Sequence, residues 1–371
     1  LWTRVTAVAV MFVACACKPR WTVPPKRVAT AAKVPIAPSG PLPGAGPVVT
    51  LRLRIPLPRP PETLAWSPGG TRIVVGDDRG AAQIRDARTG TVVHDLGQLP
   101  TRVTAIEISE AHVAVAGSKL LRVWAATTGA LERELPGQEG PVLDLRLVGE
   151  VLHAVDHGNT LRRWDLRSGR AETISVPTIH ERSLALAPDG GALALGGYGT
   201  VEVLDLPGAA RRFKLEMPNC SKAPEDLLCA ESREVEIHEH PIGSETPIPY
   251  TMYLPDWHVT DLAFSADGAR MVLGRSDGVA VVIDAATGEP LARFAAGVGQ
   301  DAAVALTSDG STLAIGDHDG LIAVWDVASR RELRAVYEPY QAVGCLAFSR
   351  DDTALAAGGP GQSVTIWDLD R

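Results

Sequence analysis

The chain has 371 residues, 45% of them hydrophobic and 22% charged, which suits a large folded core and excludes a disordered or fibrous chain. Its net charge of −8 hides an asymmetry: residues 1–61 hold nine Lys or Arg and no Asp or Glu, leaving 27 basic against 44 acidic residues beyond. That acidic remainder offers no basic face for a phosphate backbone, so nucleic acid is excluded as an expected partner.

At the N-terminus, Arg4 precedes an apolar run over 5–14, followed by Cys15-Ala16-Cys17. One basic residue, a short apolar stretch and then small residues describe a secretory signal over 1–17. The run is too short to serve as a bilayer-spanning anchor. Val13-Ala14-Cys15 resembles a bacterial lipoprotein signal, with Phe12 where that family usually carries Leu. The resemblance implies lipidation of Cys15, with Cys17 as a second candidate and simple cleavage as the alternative. It places the mature chain outside the cytoplasm, at the bacterial cell envelope. There it is lipid-anchored on the periplasmic or outer-membrane face, without a spanning helix. Residues 18–47 contain eight prolines and read as an extended linker, a tether between that anchor and the remainder of the chain.

From residue 48 onward the pattern changes. Val49 to Ile55 alternates apolar and polar residues with period two, as a half-buried strand does. A unit of three alternating runs and two polar turns then recurs. Its first turn and the closing position of its third run fall at Ser67/Asp86, Ser109/Ala125, Val148/Asp165, Ala187/Asp205, Ser265/Asp284, Thr307/Asp326 and Ser349/Asp368. The paired positions are 16 to 19 residues apart, and each closing position precedes the next turn by 22 or 23. Only the interval from Asp205 to Ser265 breaks step, being 37 residues longer than its counterparts.

Three units close on Trp-Asp, at Trp164-Asp165, Trp325-Asp326 and Trp367-Asp368; Asp86, Asp205 and Asp284 keep the Asp alone, and the second unit reads Trp124-Ala125. A period near 42 with these endings resembles the WD40 family of β-propellers, four strands to a blade. The family's Gly-His pair ahead of the first strand is missing, and His258 sits too close to Val259 to replace it. The family's side-chain hydrogen-bond network is therefore expected to be degenerate. The last unit ends at Asp368 without a fourth strand, and the spacing of the other units puts one near 49–56. The expected fold is all-β, a seven-bladed propeller over 48–371 closed by its N-terminal strand; the alternative is a strand packed elsewhere on the surface.

The long interval leaves an insert at about 217–256, either a loop excursion or a degenerate eighth blade. Its Cys220 and Cys229 read as a disulfide in an exported protein. With His238 and His240 they form a rival Cys2His2 metal site, whose Cys-x8-Cys spacing is unlike the short spacings of zinc modules. No metal or cofactor is assigned on that basis. Cys345 lies in an apolar run and reads as a core thiol.

Gly274-Arg275-Ser276-Asp277-Gly278 fits the G-x-S-x-G pattern of a nucleophile elbow, which requires a strand entering a helix. The same place in other units reads Gly76-Asp77-Asp78-Arg79-Gly80 and Gly316-Asp317-His318-Asp319-Gly320, which are hairpin turns, so Ser276 is a turn residue. These turns project on one face, which in the resembled family is the usual binding face. Asp77, Asp78, Asp156, His157, Arg275, Asp317 and His318 fall around that rim, and the insert leaves from the same side. Asp and His are also ordinary turn formers. The implied function is a non-catalytic protein-interaction scaffold with a protein partner. The alternatives are a propeller hydrolase or metal-binding enzyme using the central channel, and a purely structural spacer.

Overall fold

A computed structural model describes residues 48–136, 138, 140–157, 160–176, 183–197, 199–216, 232–239, 248–255, 258–276, 278–295, 303–337 and 342–370. The signal at 1–17, the linker at 18–47, Cys15, Cys220, Cys229 and His240 lie outside these residues.

The described strands form seven four-stranded antiparallel sheets and one hairpin. The first strand, β1 (Val48–Pro56), is set apart from its sequence neighbours. Blade 1 comprises β2 (Pro61–Trp66), β3 (Arg72–Asp77), β4 (Ala81–Asp86) and β5 (Val92–Gln98). Blade 2 is β6 (Ala105–Ile108), β7 (His112–Ala116), β8 (Leu121–Ala125) and β9 (Leu131–Leu135). Blade 3 is β10 (Val142–Val148), β11 (Val151–Asp156), β12 (Thr160–Asp165) and β13 (Ala171–Ser175). Blade 4 is β14 (Ser183–Leu186), β15 (Ala192–Gly196), β16 (Thr200–Asp205) and β17 (Ala210–Glu216). The insert contributes β18 (Ser232–Glu239) and β19 (Ile248–Pro255), paired only with each other. Blade 5 is β20 (Val259–Phe264), β21 (Arg270–Arg275), β22 (Val279–Asp284) and β23 (Pro290–Ala295). Blade 6 is β24 (Ala303–Leu306), β25 (Thr312–Gly316), β26 (Leu321–Asp326) and β27 (Arg331–Tyr337). Blade 7 is β28 (Cys345–Phe348), β29 (Ala354–Gly358) and β30 (Ser363–Asp370), completed by β1.

The long interval is thus a hairpin between blades 4 and 5, and β17 supplies the fourth strand of blade 4. The ring has seven blades, not eight. Innermost strands touch in cyclic order, β2 against β6, β6 against β10, and so on round to β28 against β2. β1 pairs antiparallel with β30 from Val48 opposite Asp370 to Pro56 opposite Ser363, with a bulge between Leu51 and Leu53. Pairing the first described strand with the last removes the sheet edge that an open ring would expose. Across the seam, Trp66 Nε1 donates to the Ala347 carbonyl at 3.1 Å.

Side-chain size along each blade follows from the geometry of a ring. Radial sheets converge on the axis, so residues facing the next blade must be small inside and larger outside. Ala185–Ala194–Val203–Phe213 reads across blade 4 in register, and Ala347–Ala356–Ile366–Leu53 across blade 7. The apolar clusters accordingly lie between blades and bury residues of two neighbours at once. Cys345 is fully buried in the seam between blades 7 and 1.

Blades are also stitched through the backbone. The N–H groups of Val103, Val142, Val259 and Val343 donate to the carbonyls of Asp77, Gly117, Gly197 and Asp317 at 3.0, 3.4, 3.0 and 2.9 Å. In blades 1 and 4 the second strand carries a glycine beside this bond for lack of room: a Cβ on Gly76 would stand 2.5 Å from Val103 Cγ1, and one on Gly196 2.6 Å from Val259 Cγ1.

Candidate functional site

The turns between second and third strands, and the connections from one blade to the next, share one end of the ring. The rim residues named from the sequence occupy this end. Asp77 Oδ1 accepts the N–H groups of Arg79 and Ala81 at 2.8 and 2.9 Å. Asp317 Oδ1 does the same for Asp319 and Leu321, both at 2.9 Å, and Asp156 Oδ1 accepts from Thr160 N–H at 3.2 Å. A short carboxylate at the start of a tight turn satisfies N–H groups that the hairpin leaves unpaired. These three aspartates therefore fold the turns they occupy. Asp156 and Asp317 are buried, as is Arg275 at the equivalent place in blade 5, whereas His157 and His318 are exposed and Asp77 and Asp78 half-buried. Burial pushes the Asp317 carboxyl up, opposed by the turn N–H groups it accepts.

On blade 1 the structure gathers a set that pattern reading did not supply. Glu62 lies at a bulge, because Pro61 pairs with Asp77 and Thr63 with Gly76. Its side chain is buried beside Asp77 and Asp78, with Arg102 Nη1 of the next blade 3.9 Å from its Oε2. Burial drives its carboxyl up to about 7, Asp78 and Asp77 add to the rise, and Arg102 opposes it. Glu62 Oε2 and Asp78 Oδ1 are buried and make no hydrogen bond. A cleft lined by Leu57, Arg59, Val75, Asp77 and Gln83 opens alongside. The signal for Glu62 was available as a carboxylate immediately after the first residue of an innermost strand. A bulge is invisible to a period-two pattern, so its orientation was not.

At the other end of the ring, Arg146 Nη1 lies 3.4 Å from Glu107 Oε1, and Arg350 Nη2 of blade 7 reaches the same oxygen at 3.6 Å. Three blades converge there on one buried carboxylate. The aspartates that close the third strands have a local task as well. Asp86, Asp165, Asp284 and Asp326 accept the turn N–H groups of Thr89, Ser168, Thr287 and Ser329 at 2.7 to 2.8 Å, which holds each carboxyl below its usual range. Trp325 Nε1 is buried without a partner, so the side-chain network expected to be degenerate is open in blade 6. Its ring packs instead on Phe294 of blade 5, centroids 5.6 Å apart.

Ser276 sits between two strands of a sheet, where its Oγ accepts the His258 N–H at 3.0 Å. A strand–turn–strand setting lacks the helix that a nucleophile elbow needs. Among the described residues no group of three or more His, Cys, Asp or Glu is placed to hold a metal ion. His238 lies in β18 of the insert hairpin.

Residues 295–326 and 331–368 match the family model described as WD domain, G-beta repeat. Each matched segment begins at or near the outermost strand of one blade and runs through three strands of the next. Sequence repeat and blade are therefore out of phase by one strand, which is why the ring needs β1 to complete blade 7. No curated protein matches the chain.

Proposed function

We propose that this propeller is a non-catalytic protein-interaction scaffold, exported and held at the bacterial cell envelope by a lipid on Cys15, with residues 18–47 as its tether. The observation that carries the reading is topological. The turns bearing Asp77, Asp78, Asp156, His157, Arg275, Asp317 and His318 and the insert hairpin leave one end of a closed, rigid ring. Loops on a rigid scaffold are where binding concentrates, and WD-repeat propellers commonly bind proteins. The insert hairpin pairs Ser232 opposite Pro255 through Glu239 opposite Ile248 and, among the described residues, bonds to no strand of a blade.

The test is cross-linking and pull-down from intact envelopes with the full chain, a chain lacking 217–256, and a His157→Ser/His318→Ser variant. Recovery of a partner that is lost with the insert or the exposed rim supports the scaffold. An unchanged protein profile across all three sinks it. Mass spectrometry of the mature N-terminus tests export separately: a diacylglyceryl-modified Cys15 is expected, and an intact residue 1 refutes it.

A further inference from the structure

The taper of blades 1, 4, 5, 6 and 7 is interrupted by a single carboxylate in blade 2, in the row Glu107–Ala114–Val123, and fails throughout blade 3. Reading in register from the axis outward, the inner three residues are Ala65–Val74–Ile84 in blade 1, Ala263–Val272–Val282 in blade 5 and Ala305–Ala314–Val324 in blade 6. The same row in blade 3 is Arg146–His153–Arg163, with Glu172 outermost. Two arginines and a histidine thus occupy a row whose inner three residues are apolar in blades 1, 4, 5, 6 and 7.

His153 is 4% exposed, and its Nδ1 is buried without a hydrogen bond. The imidazole lies against the blade 4 turn so closely that a Cβ on Gly190 would stand 2.7 Å from its Cε1. Both flanking cations are anchored. Arg146 is held by Glu107 at 3.4 Å and by the Leu186 carbonyl at 3.3 Å, and Arg163 by Glu172 at 3.4 Å. The carboxylate facing His153 from blade 4 is Asp189, whose Oδ1 accepts Gly191 N–H at 2.7 Å. Asp144, beside Arg146, spans the junction by accepting Leu186 N–H at 2.7 Å.

We propose that the junction between blades 3 and 4 is a pH-sensitive catch, closed by neutral His153 and loosened when that imidazole takes up a proton. A third positive charge between Arg146 and Arg163, in a packed site whose facing carboxylate, Asp189, already accepts the Gly191 N–H, repels both neighbours and is drawn toward water. The motion that relieves it separates β11 from the turn at Asp189-Gly190 and strains the contacts of Arg146 and Asp144 to Leu186. Burial, and then the Arg163 and Arg146 charges, push His153 below its ordinary value of 6.5, against the opposing pull of the Arg146 backbone and the Asp189 carboxylate. A base depressed on folding contributes stability that is whole above about pH 6.5 and is lost as pH falls toward the folded value. Asp144 works the other way, since burial raises it to about 6 and the folded chain takes up its proton first. A comparison at fixed Asp144 is therefore required.

The experiment compares thermal melting of the full wild-type chain with His153→Val between pH 8 and pH 5; valine is the residue that blades 1 and 5 carry there. The wild type is expected to lose about 2 °C or more relative to the variant on acidification, with amides of β14 exchanging several-fold faster in the wild type alone. A melting difference that does not change with pH overturns the proposal. Should the variant not fold, titration of the His153 Cε1–H signal in the wild-type chain decides. A midpoint below 6.5 supports the catch, and one at or above 6.5 overturns it.

Discussion

Arg52 donates its Nε–H to Oδ1 of Asp368 at 2.7 Å, joining the strand that opens the described chain to the Trp-Asp ending of the last repeat. In blades 1, 3, 5 and 6 the equivalent aspartate binds its own turn; in blade 7 it clasps a strand 316 residues away. Arg52 stands at the bulge of β1, where the break in register leaves its side chain free to turn toward Asp368.

Because this pair is partly exposed, Arg52→Ala is expected to cost only about 0.5–1 kcal/mol, read as a shifted urea midpoint at unchanged slope. Removing residues 48–56 instead exposes the full edge of β30. It is expected to give aggregation in size-exclusion chromatography, not a modest shift.

Trp66→Phe tests the seam between blades 7 and 1. The ring remains, but the Ala347 carbonyl loses its indole donor in a closed site. A loss of about 1–2 kcal/mol is expected by chemical denaturation. No change would mean that the bond contributes nothing.

Gly76→Ala drives a methyl into Val103 where backbone and side chain already meet. A destabilisation of about 1–3 kcal/mol is expected from overpacking. Val103→Ala in the same chain should return part of it, because the two positions touch and their effects do not add.

The turn aspartates and their exposed neighbours are expected to separate. Asp317→Ala removes the acceptor for two N–H groups and should cost about 1–2 kcal/mol. His318→Ala next to it should leave the melting temperature within about 1 °C, the size of an ordinary surface change. An effect of His318→Ala on partner capture alone would assign that residue to contact.

Glu62 gives the opposite pH signature to His153. Its carboxyl is raised from 4.5 to about 7 in the fold, so its contribution is present at low pH and disappears as pH climbs through 7. Glu62→Gln, which stays neutral, is expected to gain on the wild type in melting temperature from pH 5 to pH 8. Parallel curves would show that Glu62 ionises normally.

Repeat spacing was enough to read seven units, a closing strand at 49–55, the turn nature of Ser276 and the burial of Cys345. Each rests on local chemistry or on period-two alternation, which a chain carries wherever it folds. What the unit repeat could not convey is which side chains meet across blades. Glu62 entered the rim through a bulge, and Arg102 joined it from the next blade. Arg146, His153 and Arg163 are 7 and 10 residues apart in sequence, yet they stand side by side once three strands align. Aligning the repeats exposes that row as an exception to small residues at the axis, but its meaning depends on Gly190 and Asp189 of another blade.

By itself the sequence determined the seven repeat units and the turn residues, because these follow from alternation and from the few residue types that turns accept. Only the tertiary structure decided which carboxylates are spent on turns, which are buried and shifted, and where charge replaces apolar packing. Those properties arise from convergence on the axis, where residues from separate blades share one desolvated space.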